Sequence, residues 1–232
     1  MALHFTLPVL LWTGISPYNA LGTNKLVGTF ASSTSSFTYF RSGYLHRSLL
    51  LYMIPFTFLG ALIGVESVLA TNPAYLKLLI FFAIICIAGL TLWKRNMGMR
   101  NQFAGMTRKT IALAASIAFA LGFYDGFIGP GTGSFLLFIF LSVFRFDFIT
   151  AAGNGRALNF TSNIAALALF AQRGKVIYLL GLPMAVGMMI GARVGSTYAV
   201  RKGSKLIRPL FVAAAIVLSL KMGIDVFAQW AH

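Results

Sequence analysis

Acidic residues are scarce in this sequence. Only four of its 232 residues are Asp or Glu, against 19 Lys and Arg, so the formal net charge is +15. The basic residues stand in short clusters between apolar runs, a pattern of loops between membrane helices that argues against nucleic acid as a partner. With 58% hydrophobic and 10% charged residues and a mean hydropathy of +0.82, the chain is too apolar for a water-soluble domain. We predict an all-α polytopic membrane protein that has the lipid bilayer as a partner.

Residues that build catalytic or metal centres are equally scarce. Cys86 is the single cysteine, which excludes a disulfide framework. The three histidines, His4, His46 and His232, lie at the chain start, in a loop and at the chain end. They offer neither a base for a serine nucleophile nor a metal-binding cluster. No phosphate-binding P-loop is present, so the sequence predicts no enzyme activity, no metal and no cofactor.

A glycine-rich stretch between Gly126 and Gly133 interrupts the apolar sequence and includes Pro130. Glycine and proline at this density are expected to break an α-helix, and the freed backbone groups are tolerated at membrane depth only where they line a cavity or face protein. The flanking apolar runs, 111–123 and 135–144, are each too short to cross a bilayer of about 30 Å. The pattern predicts a broken helix or a re-entrant hairpin beside a binding site.

The two halves of the chain resemble each other. An offset of 131 residues aligns the following pairs without a gap: Ala20 and Ala151, Gly22 and Gly153, Lys25 and Arg156, Gly43 and Gly174, Gly60 and Gly191, Ala61 and Ala192, Gly64 and Gly195. The order of a basic residue, a loop glycine and a G-A-x-x-G face recurs, which indicates a duplication. We predict a first repeat at 1–93, a basic connecting loop at 94–109 and a second repeat at 110–232. In transporters such repeats place the substrate site at their interface.

The loop charges predict how the repeats are oriented. If the glycine-rich stretch is a hairpin that returns to its own side, twelve loop cations lie on the side of the central loop and three lie opposite. If it is a single broken crossing, the division is nine to six. The positive-inside rule favours the first arrangement. It predicts inverted repeats with a cytoplasmic central loop.

Polar side chains recur at the start of one predicted span in each half. Arg156, Asn159 and Asn163 are spaced by three and four residues and therefore share a helix face, as do Lys25 and Ser32 in the first copy. A polar stripe inside a span must face protein or water. Backbone amides at two helix starts, each with one cation, suit an anion. Alternatively, the two cations snorkel to the interface and the amides and hydroxyls join helices.

The motif A-x-G-T-N-K from Ala20, the glycine-rich stretch and A-x-G-x-x-R-x-x-N-x-x-S-N from Ala151 resemble the sulfite exporter TauE/SafE family of bacterial permeases. The resemblance covers essentially the whole chain. It implies a secondary transporter for a small anion, such as sulfite, a sulfonate or a related organic anion, in the multi-pass setting of the bacterial cytoplasmic membrane. Two features depart from the family pattern. Arg156 stands where a lysine is usual, and the first copy of the glycine-rich segment would fall before Met1.

The second departure keeps a non-transporting scaffold or a truncated, inactive homologue open as alternatives. The expected substrate-binding residues are Thr23, Asn24, Lys25, Ser32, Gly129, Gly131, Thr132, Gly133, Asn154, Arg156, Asn159 and Asn163.

Asp125 admits two interpretations, a proton-coupling acid inside the membrane or a helix cap beside the break. An intramembrane aspartyl protease is a weaker alternative, since it needs a second buried aspartate. Asp147 is expected in a loop, and Asp225 lies near the C-terminal end.

Overall fold

A computed structural model describes residues 6, 7, 10, 14–72, 75 and 100–203. These residues form helices and connecting turns, with no strand among them. The helices are α1 (Pro17–Arg41), α2 (Arg47–Leu69), α3 (Arg108–Phe127), α4 (Thr132–Ser142), α5 (Phe148–Gln172) and α6 (Tyr178–Gly203). The predicted spans at 75–93 and 210–227 lie outside the described residues, except for Tyr75. The all-α prediction agrees with every described element.

Side chains at the helix starts explain where several helices begin. The Asp147 carboxylate accepts hydrogen bonds from the backbone N–H groups of Ile149 and Thr150, at 3.0 and 3.1 Å. The Thr107 hydroxyl accepts from the N–H of Thr110 at 3.1 Å and starts α3 in the same way. Each cap satisfies a donor that the helix itself leaves free. Asp147 is therefore the N-cap of α5.

Three of the described helices, α2, α3 and α6, are long and apolar enough to cross a membrane. The prediction that the run before the glycine-rich stretch is too short to span was wrong, because α3 has 20 residues and continues through Gly122 and Gly126. By contrast α4, after the break, has only 11 residues and is short as expected. The break itself is confined to the residues between Phe127 and Thr132.

Glycines within α3 allow this helix to lie directly on α2. A Cβ atom added at Gly122 would be 2.3 Å from the carbonyl oxygen of Thr57, and one at Gly126 would be 2.1 Å from that of Ala61. On the facing helix, a Cβ at Gly64 would be 2.2 Å from the carbonyl oxygen of Phe123. Small residues of this kind let two membrane helices approach backbone to backbone. The contact fixes α3, and with it Asp125, against α2.

The helices α1 and α5 run antiparallel. A Cβ at Gly22, near the start of α1, would be 2.2 Å from the carbonyl oxygen of Lys175, which follows α5. A Cβ at Gly153, near the start of α5, would be 2.9 Å from that of Tyr44, which follows α1. Each helix thus begins where the other ends.

The ends of α1 and α5 carry matching details. Both helices have 25 residues, and their first residues, Pro17 and Phe148, are 131 positions apart. After α1 the N–H of Gly43 donates to the carbonyl of Phe40, and after α5 the N–H of Gly174 donates to that of Ala171, again 131 positions on. Both turn glycines have positive φ angles, +76° and +64°.

The start of α3 and the end of α4 lie at the same end of the bundle. The N–H of Gln102, just before α3, donates to the carbonyl oxygen of Arg145, just after α4, at 2.8 Å. The ring of Phe103 stacks on that of Phe146 with centroids 4.8 Å apart. At the opposite end an exposed ion pair joins Arg173 to Glu66 at 2.8 Å. The chain therefore returns after the break to the end from which α3 started.

Candidate functional site

A cavity of about 410 Å³ lies among α1, α3, α4, α5, α6 and the break between α3 and α4. This volume is in the range of small-ligand sites. Its lining residues are Asn24, Lys25, Ala31, Ser35, Tyr39, Asp125, Gly129, Pro130, Gly131, Thr132, Gly133, Ser134, Leu137, Phe148, Ala152, Gly155, Arg156, Asn159, Asn163, Met188, Gly191, Ala192, Gly195, Ser196 and Ala199. The structure thus brings most of the expected binding residues together, and Asp125 joins them.

Three expected binding residues, Thr23, Ser32 and Asn154, do not line the cavity. The Thr23 hydroxyl accepts from the N–H of Ile177 at 3.0 Å, and the Asn154 side-chain oxygen accepts from the N–H of His46 at 3.0 Å. The first bond ties the start of α1 to the turn after α5, and the second ties the start of α5 to the turn after α1. Ser32 donates to the backbone of its own helix, to the carbonyl of Gly28 at 2.6 Å. Their polar groups are used within the protein, so we leave them out of the proposed site.

Lys25 and Asp125 form an ion pair between α1 and α3. The Lys25 Nζ lies 3.0 Å from Asp125 Oδ2, and the two side chains are 1% and 2% exposed. The ammonium also donates to the backbone oxygen of Asp125. The snorkelling hypothesis is wrong for Lys25, because its charge is held inside the bundle. The capping hypothesis is wrong for Asp125, which lies within α3 and faces Lys25.

The break between α3 and α4 leaves room for this pair. Gly129 has φ of +87° and Gly131 has φ of +83°, a left-handed conformation that glycine adopts without strain. A Cβ at Gly129 would lie 2.8 Å from Lys25 Nζ. The Thr132 hydroxyl donates to the Gly129 carbonyl at 2.8 Å, and the Tyr124 hydroxyl donates to the Pro130 carbonyl at 2.6 Å. The break is therefore a hydrogen-bonded turn that sets the first turn of α4 against the cavity.

Arg156 is the second cation of the cavity, and the Tyr39 phenol lies within electrostatic reach of it. The half-buried side chain makes no hydrogen bond and no ion pair with any residue that the structure describes. A Cβ at Gly133 would lie 3.9 Å from its Nη1 atom, so the guanidinium borders the first turn of α4. Helix starts present backbone N–H groups and a positive dipole end. Arg156 and α4 together create a positive, partly enclosed wall with no acid beside it.

Buried polar groups around a cation without an ion-pair partner are typical of anion sites. Comparison with known proteins shows to which family the chain belongs. The sequence model of a family described as sulfite exporter TauE/SafE matches residues 4–222. The chain belongs to this family. As a TauE/SafE protein it is a membrane transporter.

Several relatives support the TauE/SafE assignment. A probable membrane transporter protein ORF9 of Sinorhizobium sp is 37% identical over 220 residues, which cover 95% of this chain and 84% of the relative. A probable membrane transporter protein YfcA of Escherichia coli K12 is 36% identical, with 97% and 82% covered. A probable membrane transporter protein of Haemophilus influenzae is 32% identical, with 98% and 88% covered. No solved structure matches the chain.

The TauE/SafE cavity also contains polar residues that the sequence analysis missed. Ser35 and Tyr39 lie on α1, and Ser196 lies on α6. Helical spacing would have found the first two, because they follow Ser32 by three and then four positions. Nothing in the sequence singled out Ser196, which has no polar counterpart in the first copy.

The G-A-x-x-G face of α6 differs from its counterpart on α2. On α2 this face packs on α3, whereas Cβ atoms added at Gly191 and Gly195 meet nothing within 4 Å among the described residues. Both glycines line the cavity instead. Their sequence equivalence to Gly60 and Gly64 did not predict this difference in surroundings.

Asn154→Ala and Asn159→Ala are expected to affect different properties of this TauE/SafE protein, stability in the first case and anion affinity in the second. Asn154→Ala leaves the part-buried N–H of His46 without its acceptor, so we expect a loss of about 1–3 kcal/mol in the free energy of unfolding. Asn159 lines the cavity, and its backbone oxygen, which accepts from Asn163, survives the change to alanine. Asn159→Ala should therefore lower anion affinity and leave stability nearly unchanged.

Thermal unfolding in detergent and anion titration, run on both variants, test this pair. A loss of affinity in Asn154→Ala with unchanged stability would contradict the placement of Asn154 outside the site.

Proposed function

We propose that this chain is a secondary transporter that binds a small anion in the cavity and carries it across the bacterial cytoplasmic membrane. The observation that carries the proposal is the unpaired Arg156 guanidinium in a polar cavity, beside the start of α4. A half-buried cation without an ion-pair partner has lost part of its hydration, and a bound anion would offset that loss. Planar, bidentate donation by arginine suits oxyanions.

Sulfite, a small sulfonate or a related organic anion is the proposed substrate class, in line with the family description. Around Arg156 the cavity is lined by the side-chain amides of Asn24, Asn159 and Asn163 and by the first turn of α4. Amides and hydroxyls bind sulfonyl oxygens without adding charge. The cavity volume of about 410 Å³ leaves space for an organic tail or for bound water.

The proposal includes inverted repeats, with the boundaries 1–93 and 110–232 on either side of the 94–109 loop. The antiparallel course of α1 and α5, together with their equal lengths and matching turns, supports this arrangement. The hydrogen bond between Gln102 and Arg145 supports a re-entrant hairpin, which is the arrangement that divides the loop cations twelve to three. With the central loop cytoplasmic, the arrangement obeys the positive-inside rule.

Flux through proteoliposomes tests the proposed function. Vesicles that contain the purified protein should take up sulfite and ethanesulfonate with saturable kinetics, and each anion should inhibit uptake of the other because they share one cavity. A neutral solute of similar size, such as dimethyl sulfone, serves as the control and should neither enter through the protein nor compete. Vesicles with folded protein and no saturable anion flux would instead favour the scaffold alternative.

A further inference from the structure

The Lys25–Asp125 pair is a feature of the cavity that anion binding alone does not require. It joins two helices through residues 100 positions apart, and both side chains are almost fully buried. Removing two charges from water costs several kcal/mol for each ion, and the attraction between them only offsets that cost. An acid placed against one of two cations also lowers the positive charge available to an anion. The presence of Asp125 beside an anion site therefore needs an explanation other than anion binding.

Within this ion pair, the Asp125 carboxylate has few interaction partners. Asp125 Oδ2 lies 3.0 Å from Lys25 Nζ, and no other described residue donates a hydrogen bond to this buried oxygen. A carboxylate oxygen with a single partner can accept a proton at the cost of that one contact. The ammonium would not be released entirely, because it also donates to the backbone oxygen of Asp125. Protonation would thus free the charge of Lys25 while its position is kept.

The charge of the cavity can be counted among the described residues. Its ionisable side chains are Lys25 and Tyr39 from α1, Asp125 from α3 and Arg156 from α5, and the lining residues of α4 and α6 contribute none. With Asp125 ionised the cavity carries one net positive charge. With Asp125 protonated it carries two.

We infer that Asp125 couples anion binding to a proton: a proton on Asp125 redirects the Lys25 ammonium to the anion, so that a dianion binds together with a proton and a monoanion binds without one. The inference rests on the proposed function and adds the coupling ion to it. The proton comes from water and adds to the Asp125 carboxylate, and no bond of the anion is made or broken. When the anion leaves, the proton leaves and the ion pair reforms.

The break between α3 and α4 supports this role. Gly129 makes room for the ammonium at the edge of the cavity, since a Cβ there would lie 2.8 Å from Nζ. The released charge and Arg156 then face the same cavity from α1 and α5. Two cations on opposite helices suit the two negative charges of a dianion.

Two anions that do not titrate near neutral pH separate the inference from anion binding itself. Sulfate is the dianion and ethanesulfonate the monoanion. Isothermal titration in two cationic buffers with different ionisation enthalpies measures proton uptake without a competing buffer anion. Wild-type protein should take up about one proton for each sulfate bound and none for ethanesulfonate. Sulfate affinity should rise about tenfold for each unit of falling pH, and ethanesulfonate affinity should stay constant.

Asp125→Asn is the matched variant, because asparagine keeps the shape of the side chain and cannot ionise. It should bind sulfate without proton uptake, with an affinity that no longer depends on pH. Sulfate binding to wild type without proton uptake, or proton uptake that persists in Asp125→Asn, would overturn the inference. So would a wild-type protein that binds ethanesulfonate but not sulfate at any pH. If neither anion binds at any pH, the proposed function itself fails. The wild-type measurement decides the matter even if the variant does not fold.

Discussion

Arg156→Ala is expected to weaken anion binding about ten- to a hundredfold. The guanidinium makes no ion pair within the described chain and lies beside the first turn of α4, so its charge is available to a ligand. Losing a charge-assisted hydrogen bond in a partly desolvated site costs about 1.5–3 kcal/mol, which corresponds to that range in affinity. Arg156→Lys should lose less, because the charge remains and only the forked geometry is lost. Titration of purified protein with sulfite and ethanesulfonate measures the effect.

Arg173→Ala is the matched control for this experiment. Arg173 is also on the second half of the chain, but it is 55% exposed and pairs with Glu66 at the end of the bundle. An exposed ion pair contributes about 1 kcal/mol or less to stability, and it lies outside the cavity. Its removal should leave anion affinity unchanged. Equal affinities in wild type, Arg156→Ala and Arg173→Ala would contradict the site, and would return Arg156 to a structural role.

Sequence reasoning identified most of the polar residues that line the cavity, because they follow helix periodicity and the 131-residue offset between the halves. Arg156, Asn159 and Asn163 were found from spacing alone, and Lys25 from its position in the first copy. Such patterns are local, and they depend only on the geometry of one helix. The same reasoning identified the break at Gly129 to Gly131, since glycine and proline act on the backbone where they stand.

What the sequence could not show were the contacts between helices. Lys25 and Asp125 are 100 residues apart, and no spacing rule connects them. The 131-residue offset gave Lys25 and Arg156 equivalent positions, whereas in the structure Lys25 pairs with Asp125 and Arg156 forms no ion pair with a described residue. Gly126 was predicted to be part of the break, although its close contact with the neighbouring helix α2 makes it a packing residue in a continuous α3. A glycine that ends a helix and one that lets a second helix approach look alike in sequence.

The asymmetry between the two cations gives the cavity its chemistry. With one paired and one unpaired cation, a single proton on Asp125 would change the net charge of the cavity from one to two. Lys25 and Arg156 are equivalent in the 131-residue alignment, and Asp125, from the second half of the chain, pairs with Lys25. Alternating access in repeat transporters moves one half against the other around such a site. Contacts that hold α3 in place therefore also control the charge of the cavity.

Gly126→Ala is expected to destabilise the protein by about 1–3 kcal/mol or more, with a clear fall in melting temperature. The added Cβ would lie 2.1 Å from the carbonyl oxygen of Ala61, a backbone atom that cannot turn away, so α2 and α3 must separate. Asp125 precedes Gly126 directly, and its distance from Lys25 would change with the position of α3. Proton uptake with sulfate should therefore fall in whatever folded protein remains, whereas ethanesulfonate binding through Arg156 should be largely kept.

Gly187→Ala is the matched control for Gly126→Ala, and it is expected not to lower the stability of the protein. Gly187 lies within α6, does not line the cavity, and a Cβ there meets nothing within 4 Å among the described residues. Alanine favours a helix over glycine by about 0.8–1.0 kcal/mol, so this variant should be as stable as wild type or more so. Thermal unfolding of the two variants in the same detergent compares them. Because helix propensity acts in the same direction at both positions, equal shifts in melting temperature would show that the close α2–α3 contact does not hold α3 in place.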